Sequence, residues 1–178
     1  MRIVIIRHGK VNYCWSNYCT SKEFDNECSE YDIASIKDEN FKIPNINYQK
    51  IYISELSRSR DTAKKIFAGS RYKKTRLINE VPLRSGFDTR KKMPLWFWNT
   101  SGRIQWFMNS DRQIEGHSKT VERARQFVAM ISDEDADCAV VTHGFFMHTL
   151  LREIKKAGFR TNKSSATYKN GEYVIVEK

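Results

Sequence analysis

The chain has 178 residues and 40% hydrophobic content, which suits one packed domain, and it holds no apolar run of transmembrane length, so no membrane partner is expected. Its net charge of +10 is concentrated: Arg58 to Arg112 carries 14 Lys and Arg against 4 Asp and Glu, and the remainder balances at 17 of each. Such a field steers anions toward the molecule, but no recognisable nucleic-acid motif accompanies it, so a small anionic ligand is expected rather than DNA or RNA.

Residues 2–6, with the run Ile3-Val4-Ile5-Ile6, predict a buried strand that stops at Arg7-His8-Gly9. The apolar stretch is too short for a signal peptide, so a cytoplasmic protein is expected. Residues 12–40 are polar and rich in Asn, Ser and acids, with poor helical periodicity. Cys14, Cys19 and Cys28 lie here, and Cys138 lies far away. Their spacings match no tight ligand pair, so no metal is expected and the thiols are taken as free.

Ile51-Tyr52-Ile53 predicts a second strand, with Ser54 as the cap of a helix whose apolar face is Leu56, Ala63, Ile66 and Phe67 and whose stop is Gly69. Residues 75–78 predict a third strand. Residues 94–108 hold Trp96, Trp98 and Trp106 with Phe97 and Phe107, a segment that core packing explains and that also suits an inserted cap excluding water from a pocket. Ser118 is the expected cap of the next helix, with the stripe Val121, Ala124, Phe127, Val128 and Ile131. Residues 138–142 predict a strand ending at His143-Gly144, and a helix follows to Gly158. Asn170-Gly171 between alternating segments predicts a hairpin. Interleaved strands and helices define the α/β class: three layers, a mostly parallel central sheet flanked by helices, and a C-terminal antiparallel hairpin.

Two predicted strands thus end in His-Gly, and strand carboxyl ends are where α/β proteins bind ligands. The expected consequence is a pair of imidazoles, His8 and His143, beside Arg7, suited to a dianionic phosphate. Neutral imidazole is a competent nucleophile toward phosphorus when its other nitrogen is held by a hydrogen bond. Arg58, at the start of a helix after a strand, is placed where anions are attracted.

On Arg7-His8-Gly9, on Ser54-Glu55-Leu56-Ser57-Arg58-Ser59-Arg60-Asp61-Thr62-Ala63 and on Val141-Thr142-His143-Gly144, the chain resembles the histidine phosphatase superfamily, which includes the cofactor-dependent phosphoglycerate mutases. Order and spacing match across nearly the whole chain. The resemblance implies a single histidine-phosphatase-like domain over 1–178, with a cap or insertion around 82–116. It implies a phosphomonoester phosphatase acting on a small phosphorylated metabolite. His8 would take the phosphoryl group, Arg7, Arg58 and a protonated His143 would surround it, and Glu80 would be the proton donor, with Asp88 in reserve. No metal or cofactor is implied. Mutase-type transfer and a non-catalytic phospholigand binder are the alternatives. The short chain favours hydrolysis, since little material remains to enclose a bisphosphorylated intermediate.

The sequence departs from the family pattern at three places. Lys10 stands where many members have an acid, Cys14 where they have Asn, and His117 where they have Glu. His148 is off the face of His143 and is read as structural. Neither oligomeric state nor the leaving group is legible.

Overall fold

The computed structural model describes residues 1–178. In chain order the elements are β1 (Arg2–Arg7), β2 (Tyr18–Cys19), α1 (Ser21–Ile33), β3 (Lys50–Ile53), α2 (Ser57–Ile66), β4 (Lys73–Lys74), a 3₁₀ turn (Arg76–Ile78), β5 (Met93–Pro94), α3 (Leu95–Phe107), α4 (His117–Glu134), β6 (Cys138–Thr142), α5 (Gly144–Lys156), β7 (Arg160–Thr161) and β8 (Tyr173–Glu177). The main sheet has the order β4-β3-β6-β1-β8-β7. Its first four strands are parallel, while β8 runs antiparallel to both β1 and β7.

Strand side chains alternate between two packed layers. Ile3, Ile5, Tyr52 and Val140 face α4 and α5, packing on Phe127, Ile131, Phe146 and Leu150. Val4, Ile6, Ile51, Ile53, Ala139 and Val141 face α2, packing on Ala63 and Phe67. Burial on both faces is why β1 and β6 read as unbroken apolar runs. A third, smaller cluster of Cys19, Phe24 and Trp98 lies where α1, α3 and the two-stranded β2–β5 sheet meet. No helix is long and apolar enough to cross a membrane.

Several local expectations are corrected. Residues 75–78 form no strand; the strand is the short Lys73–Lys74, and Thr75 caps the 3₁₀ turn through its hydroxyl. Ser54 does not cap α2, which begins after Leu56, and Ser118 does not cap α4, whose cap residue is Gly116. Asn170-Gly171 is a turn, with Gly171 at φ 74°, but it does not join two paired strands. The antiparallel pair at the C-terminus is instead β7 with β8. α1 escapes a periodicity reading because its only buried residues are Ser21 and Phe24. It is marked instead by a capping box in which Thr20 and Glu23 bond each other's backbone N–H.

Candidate active site

The register of the parallel strands places their carboxyl ends at one level. Arg7 pairs with Thr142 and Ile53 with Val141, so His8, His143 and Ser54 each begin the loop leaving the sheet. The His8 amide donates to the Thr142 carbonyl at 2.9 Å, and the Ser54 amide to Val141 at 3.2 Å. The His8 loop is held from two further sides. The Gly9 amide donates to Thr62 Oγ1 at 2.9 Å, and the Asn170-Gly171 turn donates to the His8 carbonyl through Asn170 Nδ2 at 3.1 Å and the Gly171 amide at 3.2 Å. The Asn-Gly motif therefore serves the site rather than a hairpin.

His8 Nδ1 lies 2.7 Å from the Gly9 carbonyl. A carbonyl can only accept, so Nδ1 carries the proton and Nε2 presents a bare lone pair. The pKa of His8 is lowered from 6.5 to about 3, chiefly by burial and then by Arg58. The neutral imidazole is thus the resident form at neutral pH.

The His8 and His143 rings lie 5.0 Å apart between centroids, so the two strand ends do converge. The ring of His143, expected beside the phosphate, has other partners in this fold. His143 is fully buried and lies beneath the cleft wall. Arg58 Nε donates to its Nδ1 at 3.1 Å, which fixes the proton on Nε2, and that N–H donates to Ser54 Oγ at 2.6 Å. Burial first, and Arg58 next, hold its pKa well below 6.5. The buried imidazole orients the arginine above it.

Arg58 is 1% exposed although charged. Its Nη1 meets Asp32 Oδ1 at 2.9 Å, and its guanidinium lies 5.0 Å from the Tyr31 ring centre. Arg7 donates from Nη1 to the Tyr168 carbonyl, while its Nε is buried without a partner. The guanidinium lies against Gly144: a Cβ there would come within 2.7 Å of Arg7 Nε and 2.8 Å of Cζ. The second His-Gly thus needs its glycine so that Arg7 can pass over the start of α5.

Glu80 stands at the same helix start. Its Oε1 accepts from the Phe146 amide at 2.9 Å and Oε2 from Phe145 at 3.4 Å, two of the free N–H groups of α5. Asp88 is corrected as the reserve donor: its side chain is 78% exposed, forms a two-bond ion pair with Arg112, and does not line the cleft.

Arg7, His8, Arg58 and Glu80 open into one cleft of about 1240 Å³. Its further walls include Trp15, Tyr31, Arg84, Arg103, Glu115 and Arg123. None of the three tryptophans of segment 94–108 lines it. Trp98 and Trp106 are buried in the packed clusters, as the core-packing reading has it, and Trp96 is 67% exposed, so these rings form no wall of the cleft. That segment contributes Asn99 and Arg103 instead.

Lys10 and Cys14 face solvent, and His117 packs edge-on against Trp106. Glu115, two residues before His117, does line the cleft and holds Arg123 at 2.8 Å. Sequence reasoning missed Ser54 as the partner of His143 and Asp32 as the partner of Arg58. The signal for Ser54 was its position directly after a strand parallel to the other two. No group of three His, Cys, Asp or Glu has metal-site spacing.

The sequence profile of the histidine phosphatase superfamily (branch 1) matches residues 3–177, and the chain belongs to that superfamily. Solved structures share the fold at low identity. The α-ribazole phosphatase from Shigella flexneri is 16% identical, with a TM-score of 0.59 over 99% of this chain and 90% of that one. A mycobacterial glucosyl-3-phosphoglycerate phosphatase is 16% identical, with a TM-score of 0.58 over 98% and 88%. A mutant phosphoserine phosphatase from Entamoeba histolytica, in complex with phosphoserine, is 16% identical, with a TM-score of 0.57 over 98% and 89%. No curated protein matches the chain by sequence.

Proposed function

We propose that the protein is a phosphomonoester phosphatase working through a phosphohistidine on His8, with a small phosphorylated metabolite as substrate. The observation that carries this is the Nδ1–H bond of His8 to the Gly9 carbonyl, which leaves Nε2 unprotonated in a residue that lines the cleft beside two arginines. The phosphoryl group of a dianionic ester sits between Arg7 and Arg58, whose charges and remaining N–H groups, Nε and Nη2 of Arg7 and Nη2 of Arg58, meet its equatorial oxygens. Nε2 forms the bond to phosphorus as the ester oxygen departs in line, and catalysis is mainly positioning and charge stabilisation.

Glu80, which lines the same cleft, gives its proton to the departing oxygen. The same carboxylate then takes a proton from water, which attacks the phosphohistidine and releases inorganic phosphate. His143 is a positioning residue that holds Arg58. The arginines supply the positive charge that the transferring group requires, so turnover is expected to persist in a chelator. The segments 12–40 and 82–116 act as a cap that shapes the choice of leaving group.

The test is hydrolysis of phenyl phosphate by the purified protein, with rapid denaturing quench to trap the acid-labile phosphoenzyme. His8→Ala is expected to lower turnover by roughly three orders of magnitude or more and to abolish the trapped species. Undiminished turnover in that variant would overturn the mechanism. Saturable phosphate binding with no phosphoenzyme in the unsubstituted protein would leave a binding module instead.

A further inference from the structure

Arg103, on the inner side of α3, lines the cleft and takes no part in the chemistry above. Its guanidinium lies 3.7 Å from the centre of the Phe145 ring, and its Nη1 donates to the Val81 carbonyl at 3.2 Å. Nε and Nη2 have no protein acceptor. Beyond Arg7, which is spent on the phosphoryl group, other cleft arginines have carboxylate partners: Arg58 has Asp32, Arg84 has Asp25 and Arg123 has Glu115. Arg103 has none within ion-pair distance. Arg76 and Lys119 also line the cleft unpaired, but neither is stacked on a ring or tied by a side-chain hydrogen bond.

This desolvated and held guanidinium has no carboxylate at contact distance, and Glu80 and Glu115 are only more distant counter-charges, so its free N–H groups remain open to an anion in the cleft. Burial lowers the pKa of Arg103, but a guanidinium keeps its proton at neutral pH. One face is covered by Phe145 and one nitrogen is tied to Val81, so the free edge is Nε with Nη2. Those two N–H groups are parallel and match the two oxygens of a carboxylate. Phe145 also fixes where that edge lies: its ring carries Arg103 and its amide faces Glu80 at 3.4 Å. With Glu80 as donor to the departing oxygen, Arg103 stands on the leaving-group side.

We propose that Arg103 is a specificity-determining residue that binds a carboxylate carried by the alcohol portion of the substrate. The proposal rests on the phosphatase reading of the same cleft. It is tested with phenyl phosphate and its 3- and 4-carboxyphenyl analogues, because a carboxylate at those positions alters the leaving phenol little and the two positions sample different reaches.

At least one isomer is expected to show kcat/KM about 10- to 100-fold above phenyl phosphate, the worth of a charge-assisted paired bond. Arg103→Gln should bring that ratio to within about 3-fold, and Arg103→Lys, which keeps charge but not the fork, should retain only part of it. A merely structural role would lower all three esters together and leave the ratio intact. No preference in the unsubstituted enzyme, or a preference that survives in both variants, overturns the proposal. If no ester is turned over, the phosphatase reading fails separately, and calorimetric binding of the same esters to His8→Ala decides the subsite: tighter binding of a carboxyphenyl isomer supports it and equal binding refutes it.

Discussion

His8 lies beside Arg58 and Arg7, and its pKa falls from 6.5 to about 3, burial being the largest cause. His143 shifts in the same direction for the same first reason. Both imidazoles are neutral in the folded protein but take up protons near pH 6.5 when unfolded. The unfolded state therefore binds more protons between about pH 3 and 6.5, and stability is lost as pH falls through that window. For His8 the loss from pH 7 to pH 5 is about 2 kcal/mol. Urea unfolding across this range should show the decline, and His8→Asn or His143→Asn should flatten it; an unchanged slope in both would contradict burial as the cause. The two strand-end histidines and the arginines near them were legible residue by residue, because His-Gly after an apolar run is a local pattern. That Ser54, Arg58 and Ser59 would surround the His143 ring was not, because all three come from more than 80 positions away in the chain.

α3 shows how an element is set by its neighbours. Gly102 packs on the loop before it, where an added Cβ would meet Leu83 Cδ1 at 2.6 Å and the Arg84 carbonyl at 2.9 Å. The backbone oxygen cannot yield as a side chain can. Gly102→Ala is thus expected to destabilise the protein by about 1–3 kcal/mol despite the better helix propensity of Ala. The same change displaces the helix that carries Arg103. Thermal or urea unfolding measures it, and a stabilised variant would mean that the helix and loop do not meet as described. In α1, Thr20→Ala removes the capping box and is expected to cost about 1 kcal/mol by the same measurement. Element boundaries were less legible than element type. Ser54 and Ser118 have good cap chemistry, but Ser54 Oγ meets His143 and the Leu56 amide ahead of the helix, and the Ser118 amide goes to Asn109. Local propensity gave way to longer-range bonds.

Across the molecule, stability is unevenly distributed. The central strands β1, β3 and β6 are packed on both faces, whereas α1 and α3 join through three fully buried side chains and a sheet of two-residue strands. Native-state hydrogen exchange is expected to find the slowest amides in β1 and β6, with α1 and α3 opening at lower free energy. Uniform protection would contradict this. The segments that form the outer part of the cleft are then expected to open first, and the basic middle of the chain supplies part of that wall through Arg76, Arg84 and Arg103.

The sequence by itself determined the α/β class, the two strand-end histidines and the arginines beside them. These rest on short-range patterns: apolar runs that must be buried on both faces, and turns that follow them. Tertiary structure alone decided which acid stands at the site, since Glu80 reaches the start of α5 while Asp88 is held in solvent by Arg112. It also decided that Trp15 faces the cleft while the tryptophans of α3 do not, and that Arg103 has no carboxylate in direct contact, only Glu80 and Glu115 further off. Those outcomes depend on distances between segments far apart in the chain, and spacing along a chain does not encode which buried charge its fold will neutralise.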